Sequence, residues 1–205
     1  MKRKTTLMRG FFAVLALSAI FASSAGAAPA WNFAGKSLEG SEVVMGAAFE
    51  SALVLPGLTT KCENFLYKLS IKNEAGTGKG ELTEMPLYNC STDTTACGVK
   101  SIGAETLPYP VHLSKVETSN YITIEKVNVG IRYSGEECAL GGILVRVTGT
   151  AGGLIDNTAE TATFNTSSFK ATKTELKALS GTAQWSGVFP TEAFQWHREQ
   201  ALTVS

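Results

Sequence analysis

The sequence has few of the residues from which metal sites are built. Among its 205 residues there are two histidines and four cysteines. No two cysteines have the CxxC spacing of a zinc site, and the histidines, His112 and His197, are far from the cysteines along the chain. The sequence therefore predicts no metal site and no cofactor.

The motifs of several common enzyme classes are also missing. No GxSxG elbow of a serine hydrolase is present, and Gly76–Gly80 lacks the GxxxxGK[ST] spacing of a phosphate-binding loop, so a hairpin tip is the preferred interpretation. His112 could serve as a general base, but alternation places it on the outward face of a strand, where a solvated histidine is expected. An enzymatic role is therefore not favoured.

A hydrolase could still work with two carboxylates, because many glycosidases need only a pair of acids across a cleft. The sequence cannot place any two of its acids at the required separation. A carbohydrate-active hydrolase using paired carboxylates therefore stays as an alternative hypothesis. The candidate acids are Glu81, Glu84, Glu136, Glu137 and Glu160.

No apolar run is long enough to span a membrane as a helix. The longest, Phe11–Phe21, has eleven residues, whereas a spanning helix needs about 20. Four basic residues precede this run, and Ala25–Ala27 follows with the small-x-small pattern that signal peptidase accepts. Residues 1–27 are thus predicted to be a signal peptide, and 28–205 a single secreted domain that is not inserted in a membrane after cleavage.

Neither sign of charge dominates. The chain has 18 basic and 18 acidic side chains, and removal of the four basic residues of the predicted leader leaves 14 against 18, or −4. A mildly acidic domain has no electrostatic attraction for nucleic acid or anionic lipid. We therefore expect no nucleic-acid partner; a cell-wall glycan or another secreted protein is the expected one.

Alternation of apolar and polar residues is the dominant pattern, and helical periodicity is nearly absent. The alternation runs through Phe65–Lys72 and Ala183–Phe189, and glycine-rich turns separate such segments. Within residues 121–133 it changes phase near Glu125 and Lys126, which predicts a bulge or a bend. The pattern predicts an all-β, single-domain antiparallel sandwich or barrel-like fold of about nine or ten short strands.

Two short helices are expected beside the strands. Thr172–Glu175 has the spacing of a capping box, and Pro190 could open a helical turn that extends to Trp196. Neither start is followed by a long amphipathic run, so both helices would be short.

All four cysteines lie in the predicted mature chain, and an even number in an exported protein predicts two disulfides. Cys90 and Cys97 flank a six-residue loop, which favours a bridge between them and a second one from Cys62 to Cys138. In the rival pairing, a hairpin that turns near Gly76 places Cys62 opposite Cys90 and leaves Cys97 for Cys138. We prefer the first pairing because it needs no assumption about hairpin register, and the second stays open.

Aromatic side chains on a β face can stack on sugar rings. Alternation places Trp185 and Tyr133 in the core instead. Trp196, which has polar neighbours, and Tyr109 are the candidate ligand-binding residues. The full set considered is Trp31, Tyr88, Tyr109, Tyr121, Tyr133, Trp185 and Trp196.

Several segments resemble a known group of proteins. The predicted mature start Ala28–Trp31 is followed by the glycine-rich hairpin at 76–80, by Leu87–Cys90 and by Glu105–Tyr109. Together they resemble a large paralogous group of secreted, cysteine-containing all-β proteins of uncharacterised function from high-GC Gram-positive bacteria. The likeness runs from about residue 1 to 153. It implies secretion and a β fold, and it carries no functional residue.

The leading hypothesis is a non-enzymatic secreted domain that binds a cell-envelope component or an extracellular partner. The alternatives are the carbohydrate-active hydrolase and a purely structural envelope protein. A shallow, aromatic-lined face in the folded chain would favour binding. A deep cleft with two close carboxylates would favour the hydrolase, and neither feature would leave the structural role.

Overall fold

The computed structural model describes residues 27–33, 35–165, 175–190, 192–195 and 198–205. Residues 1–26 of the predicted signal peptide, 1–27, lie outside them. The described residues form fifteen strands, of which ten have six residues or more and five have five or fewer. The strands are β1 (Trp31–Phe33), β2 (Lys36–Ser37), β3 (Ser41–Leu55), β4 (Leu58–Glu74), β5 (Thr77–Glu84), β6 (Leu87–Thr92), β7 (Gly98–Ala104), β8 (Tyr109–Val116), β9 (Ser119–Ser134), β10 (Leu144–Asp156), β11 (Thr161–Asn165), β12 (Glu175–Ala178), β13 (Gly181–Pro190), β14 (Glu192–Gln195) and β15 (Arg198–Val204).

The expectation of a helix after Pro190 is wrong. Residues 192–195 are the strand β14, which pairs with β15 and meets β3 where Phe194 lies opposite Met45. Pairing with an existing sheet outweighs the weak local preference of so short a segment. The other expected helix falls mostly on residues 172–174, outside the described ones, and Glu175 begins β12. Nothing in the described ranges is a helix, so none of it is a helix that could cross a membrane.

The strand ladders between the named strands are antiparallel and close into a ring. Around it the order is β3, β4, β5, β8, β9 and β10. Strand β10 pairs with two short strands, with β12 along Val147–Thr150 and with β11 along Gly153–Asp156. Both short strands also pair with β13. Strand β13 pairs with β3 and completes the circuit. The predicted all-β fold is confirmed, and closure of the ring gives it a barrel-like form with few free edges.

The inside of the ring holds the hydrophobic core. Because successive side chains of a strand point to opposite faces, each strand sends every second residue inward. Fully buried aliphatic residues come from nearly every strand of the ring: Val44, Ile71, Leu82, Val111, Val129, Ile131, Val147 and Leu176.

The phase change predicted in β9 is confirmed as a bulge. Ile122 and Ile124 point inward, and after the break Val127 and Val129 do so. Lys126 at the break has a positive φ of 55°. Opposite it, two steps along β10 correspond to three along β9, so one residue of β9 is unpaired.

A second phase change occurs where β3 and β4 lie side by side. On β3, Ala48 is buried and the next buried residue is Ser51, with Glu50 between them at φ 60°. On β4, Cys62 and Phe65 are the corresponding buried positions. The inward and outward sets of both strands therefore change together, and this decides which side chains of β3 face solvent.

The preferred disulfide pairing is wrong, and the rival pairing is the one present. Cys62 is bonded to Cys90 and Cys97 to Cys138, with Cα–Cα distances of 4.0 and 4.8 Å. The chain turns between β4 and β5 at Ala75 and Gly76, which both have positive φ, as a tight hairpin turn requires. Beyond β5 the chain continues as β6 along β4, which sets Cys62 directly opposite Cys90. Hairpin register, not closure of the shortest loop, chose the partners.

Strands β1 and β15 bring the two ends of the described chain together against the ring. Trp31 of β1 lies opposite Val204 of β15. The backbone of Trp31 exchanges hydrogen bonds with the Asn73 side chain, N to Oδ1 at 2.8 Å and Nδ2 to O at 3.0 Å. Val204 exchanges two with the Asn157 side chain, Nδ2 to O at 2.6 Å and N to Oδ1 at 2.9 Å. Both ends are thereby fixed, and their apolar side chains are added to the core.

Candidate functional site

Of the two predicted ligand-binding residues, one lies in the core. Tyr109, at the start of β8, is fully buried, and its hydroxyl lies within hydrogen-bonding distance of the carbonyl oxygens of Glu105, at 2.6 Å, and Asn128. Burial raises the pKa of this hydroxyl. This placement corrects the prediction that Tyr109 meets a ligand, because its ring is enclosed and its hydroxyl is used by the fold. Trp196 lies outside the described residues.

The two aromatic residues predicted for the core are there. Trp185 on β13 is 2% exposed and Tyr133 on β9 is fully buried. The Tyr133 hydroxyl is 2.7 Å from Oγ1 of Thr60, and burial raises the pKa of Tyr133. Alternation therefore located both side chains correctly.

The acids considered for a hydrolase lie on the surface. Glu84 forms an ion pair with Lys68, with Oε1 2.8 Å from Nζ. Glu160 is half-buried at a turn with a positive φ, and the other three are exposed: Glu81, Glu136 and Glu137. Within the described ranges, no three residues among His, Cys, Asp and Glu form a group that could hold a metal ion.

Two other carboxyl groups have lowered pKa values. The side-chain hydrogen bond from Lys79, together with the charges of Lys79 and Lys72, lowers the pKa of Glu74. Hydrogen bonds from Thr59 lower the pKa of Asp93. A general acid requires the opposite shift at neutral pH, so neither group is suited to protonate a leaving group.

His112 lies on the outside of the ring, as alternation predicted. Its side chain is 39% exposed, and its Nε2 is 3.8 Å from Oε2 of Glu125. The pair lies on neighbouring strands, β8 and β9, and joins two partly exposed groups.

An apolar surface crosses four adjacent strands on the outside of the ring. Val188 on β13 is opposite Phe49 on β3, Phe49 is opposite Asn64 on β4, and Asn64 is opposite Tyr88 on β6. Residues directly opposite in an antiparallel pair share a face. Phe49 is 68% exposed, Val188 50%, Tyr88 49% and the adjacent Leu66 41%. We call these five residues the outer face: Phe49, Asn64, Leu66, Tyr88 and Val188.

Polar groups accompany the two aromatic rings of the outer face. The Asn64 side chain lies between them, on the strand that separates Phe49 from Tyr88. Next to Tyr88, Nδ2 of Asn89 donates to Oε2 of Glu63 at 3.1 Å. The outer face therefore offers apolar ring surfaces and the Asn64 amide, and the neighbouring Asn89 and Glu63 add an amide and a carboxylate group.

The second feature is a cavity inside the ring. It has a volume of about 60 Å³. Four aromatic side chains of its wall pack against one another, with ring centroids 4.7 to 5.9 Å apart in mostly edge-to-face contacts. These are Phe65, Phe164, Trp185 and Phe189. Such pairs stabilise a fold by more than their buried area alone provides, so this wall contributes strongly to the stability of the core.

Three side chains in the cavity wall carry hydrogen-bonding groups. Nε1 of Trp31 donates to the carbonyl of Lys79 at 3.0 Å. The hydroxyl of Tyr67 donates to the carbonyl of Pro190 at 2.6 Å, and burial raises the pKa of Tyr67 to about 12. Nε1 of Trp185 is buried and has no hydrogen-bond partner among the described residues.

Sequence reasoning missed Phe49, Leu66 and Val188. Strand β3, Ser41–Leu55, contains two continuous apolar runs, at 43–49 and 52–55, so it has the pattern of a strand that is covered on both faces. That pattern hides the exposure of Phe49. Tyr88 was among the aromatic residues considered for ligand binding. The sequence does not show which residues lie beside it on the adjacent strands, because that depends on strand register.

Comparison with known proteins gives no match: no protein-family model, no curated protein and no solved structure is significantly similar to this chain.

Proposed function

We propose that this chain is a non-enzymatic binding domain that attaches to a glycan polymer through the outer face. The observation that carries the proposal is the exposure of Phe49 and Tyr88 on one sheet surface with Asn64 between them. A flat aromatic ring packs against the C–H face of a sugar ring, and amide and carboxylate groups hydrogen-bond to its hydroxyls.

The spacing of the two rings suits a chain of sugars. Phe49 and Tyr88 are separated by two strand spacings, about 9.6 Å between their backbones. Each ring can therefore contact a different unit of one polymer. An open sheet surface also suits a polymer, whose ends need not enter a pocket.

A second candidate is a protein partner, favoured by the two branched aliphatic residues of the outer face. Leu66 and Val188 have no flat ring to offer a sugar. Exposed charged residues lie on the same strands as the outer face, Glu50 on β3 and Lys61 and Glu63 on β4. An apolar centre with a polar rim is typical of protein interfaces.

The proposal includes secretion. The two disulfides need an oxidising compartment to form and persist. The predicted signal peptide and the resemblance to secreted proteins of high-GC Gram-positive bacteria support the same location. A glycan polymer of the cell envelope is therefore the ligand that we propose.

The test is co-sedimentation of the purified mature chain with insoluble peptidoglycan from which proteins have been removed by protease and detergent. Phe49→Ala and Tyr88→Ala are each expected to lower the affinity roughly ten-fold. The matched control is Leu154→Ala, which removes an exposed apolar side chain from β10, outside the four strands of the outer face.

The outcome also separates the two candidates. A glycan ligand predicts a large loss for Phe49→Ala and Tyr88→Ala and a small one for Leu66→Ala. If untreated walls bind the chain, stripped walls do not, and Leu66→Ala is as damaging as Phe49→Ala, the ligand is a protein. If neither preparation binds the chain, or all variants sediment alike, the outer face is not the binding site.

A further inference from the structure

Two consecutive strands, β6 and β7, each have one edge without a partner strand. In the part of the chain that the structure describes, β6 pairs only with β4, and β7 pairs only with β9. The two strands come together at the turn that joins them, where Oγ1 of Thr92 donates to the carbonyl oxygen of Cys97. No ladder continues from this turn, so a gap lies between the two unpaired edges.

The strands β5 and β8 show what a complete wall looks like. They lie between the other halves of β4 and β9, and a ladder from Lys79–His112 to Leu82–Tyr109 joins them. All the other strands of the ring, β5 and β8 among them, provide at least two buried residues each. No residue of β6 or β7 is buried. The wall of the ring is therefore incomplete between β6 and β7.

The inward-facing side chains on both sides of this gap are apolar and only partly buried. Leu87 on β6 is opposite Phe65, and Ile102 on β7 is opposite Ile131, so both share a face with core residues. They pack against the border of the core and keep part of their surface exposed. An added strand with apolar side chains on its inner face would bury this surface, which is favourable.

The backbone of β6 presents hydrogen-bonding groups to the gap. The Cα atoms of Cys62 and Cys90 are 4.0 Å apart, the short spacing of a non-hydrogen-bonded pair in an antiparallel ladder. The N–H and C=O groups of such a pair point away from the partner strand, so those of Cys90 point away from β4. Thr92, two residues further, has the same orientation. A row of such groups is a template for another strand.

Two basic side chains lie on the outer surface beside β7. Lys100 on β7 is exposed, and so is Arg132, which is opposite Ser101 on the neighbouring strand β9. Neither takes part in an ion pair with another described residue. The outer side of a strand added here would therefore favour acidic residues.

We propose that the gap between β6 and β7 is a docking site for an extended peptide segment of a partner protein in which apolar residues alternate with acidic ones. The segment pairs with the free edge of β6, covers Leu87 and Ile102 with its apolar side chains and turns its acidic ones outward, toward Lys100. Addition of a strand to an exposed sheet edge is a common mode of peptide recognition. Backbone groups at strand spacing select a polypeptide over a glycan.

The site is separate from the outer face. It uses the backbone edge of β6 and inward-facing side chains, whereas the outer face uses outward-facing ones such as Tyr88. Peptide binding can therefore be measured without peptidoglycan, and failure of either proposal leaves the other standing.

The probe is the heptapeptide TVEVEVT, acetylated and amidated at its ends, titrated into the ¹⁵N-labelled mature chain and followed by ¹H–¹⁵N NMR. We expect the amide resonances of Cys90 and Thr92 to shift and their exchange with solvent to slow, because strand pairing satisfies these groups. The peptide TVVVEET has the same composition without the alternation, and we expect it to bind at least about ten-fold more weakly.

Backbone methylation of the probe tests strand pairing directly. Successive N–H groups of a strand point to opposite edges. Of two versions of TVEVEVT, one N-methylated on its valines and the other on its glutamates, at least one should therefore lose binding.

Matched variants of the chain test the apolar surface. Ile102→Ala should weaken binding of TVEVEVT about five-fold. Its control, Ile143→Ala, truncates an exposed isoleucine that lies just before β10 and should leave binding unchanged. If Ile102→Ala does not fold, Lys100→Glu decides at the surface, since it should weaken binding of TVEVEVT and strengthen binding of TVKVKVT.

Three results would overturn the proposal. Equal binding of TVEVEVT, TVVVEET and both methylated peptides would show that strand pairing takes no part. Resonance changes at Phe49 and Val188 without changes at Cys90 would place the peptide elsewhere. Absence of binding at about 1 mM peptide, whether the chain is a monomer or a second copy covers the edge in a dimer, would show that the gap accepts no partner segment.

Discussion

Phe65 and Phe49 are the same residue type on two neighbouring strands, one position apart in register, yet they lie on opposite faces of the sheet. Phe49 is opposite Asn64, so Phe65 comes one residue later on β4 and points inward. Phe65 contacts Trp185 and Phe189 in the aromatic wall of the cavity. Phe49 faces solvent beside Val188.

We propose that aromatic residues serve two purposes in the molecule, one on each face of the sheet. Inside the ring they hold the sheet surfaces together, and their removal should cost stability. Outside the ring they are held in place by the strands and contribute little to folding, so they are available for a ligand. The following predictions test this division, from the largest expected effect to the smallest.

The largest effect is expected from truncating the inward-pointing aromatic side chain of Phe65. Phe65→Ala should lower the free energy of unfolding by about 3–5 kcal/mol, because it leaves a void among packed rings. Phe49→Ala should change it by no more than about 0.5 kcal/mol. Urea unfolding of both variants measures the difference. Similar losses for the two variants would mean that the Phe49 side chain is also part of the core.

The two disulfides should contribute alike to stability and differently to binding. The bridges join cysteines 28 and 41 residues apart, which in the chain-entropy model corresponds to about 3.6 and 3.9 kcal/mol. The bridge from Cys62 ties β4 to β6, the strand that carries Tyr88. We expect Cys62→Ala/Cys90→Ala to weaken peptidoglycan binding as well as stability. Cys97→Ala/Cys138→Ala should weaken stability alone.

Unfolding curves measure the stability part of this contrast. The sedimentation assay, at a low temperature at which the variants remain folded, measures the binding part. If removal of the Cys97 bridge affects binding as much as removal of the Cys62 bridge, the outer face does not depend on the local attachment of β6.

A smaller loss is expected where a glycine makes room for a cavity residue. A Cβ atom at Gly46 would lie 2.2 Å from the hydroxyl oxygen of Tyr67 and 2.3 Å from its Cζ. Gly46→Ala should therefore displace the Tyr67 ring and cost about 1–3 kcal/mol. Gly103→Ala is the control, since a Cβ there meets no atom within 4 Å. Thermal unfolding of the two variants should separate them clearly, and equal melting temperatures would contradict the expected displacement.

The smallest effect concerns pH. Burial raises the pKa of Tyr67 from 10.0 to about 12 in the folded chain. The folded state therefore favours the neutral phenol, and this contribution is fully present below pH 10 and is lost between pH 10 and about 12. Tyr67→Phe should lose about 1 kcal/mol at neutral pH, from the hydrogen bond to Pro190.

The same variant should lose less stability than the unmodified chain as the pH rises above 10. Chemical denaturation at pH 8 and pH 11 measures both quantities. Parallel losses in the two proteins would show that Tyr67 does not titrate in this range, and Tyr109, whose pKa burial also raises, would be the next residue to substitute.

By itself the sequence determined the fold class and much of the core, because period-two alternation is local and survives without knowledge of the partners of a strand. It placed Trp185 and Tyr133 inside, His112 outside and the bulge at Glu125 and Lys126, which depend only on which neighbours along one strand are apolar.

Only the tertiary structure decided what depends on register and on closure of the ring. The cysteine pairing followed from the alignment of β6 with β4, which places Cys62 directly opposite Cys90. The exposure of Phe49 depended on the phase change at Glu50, and its position next to Val188 depended on the closing contact between β13 and β3. A one-residue shift in a strand moves each of its side chains to the other face, and no local pattern in the sequence records that choice.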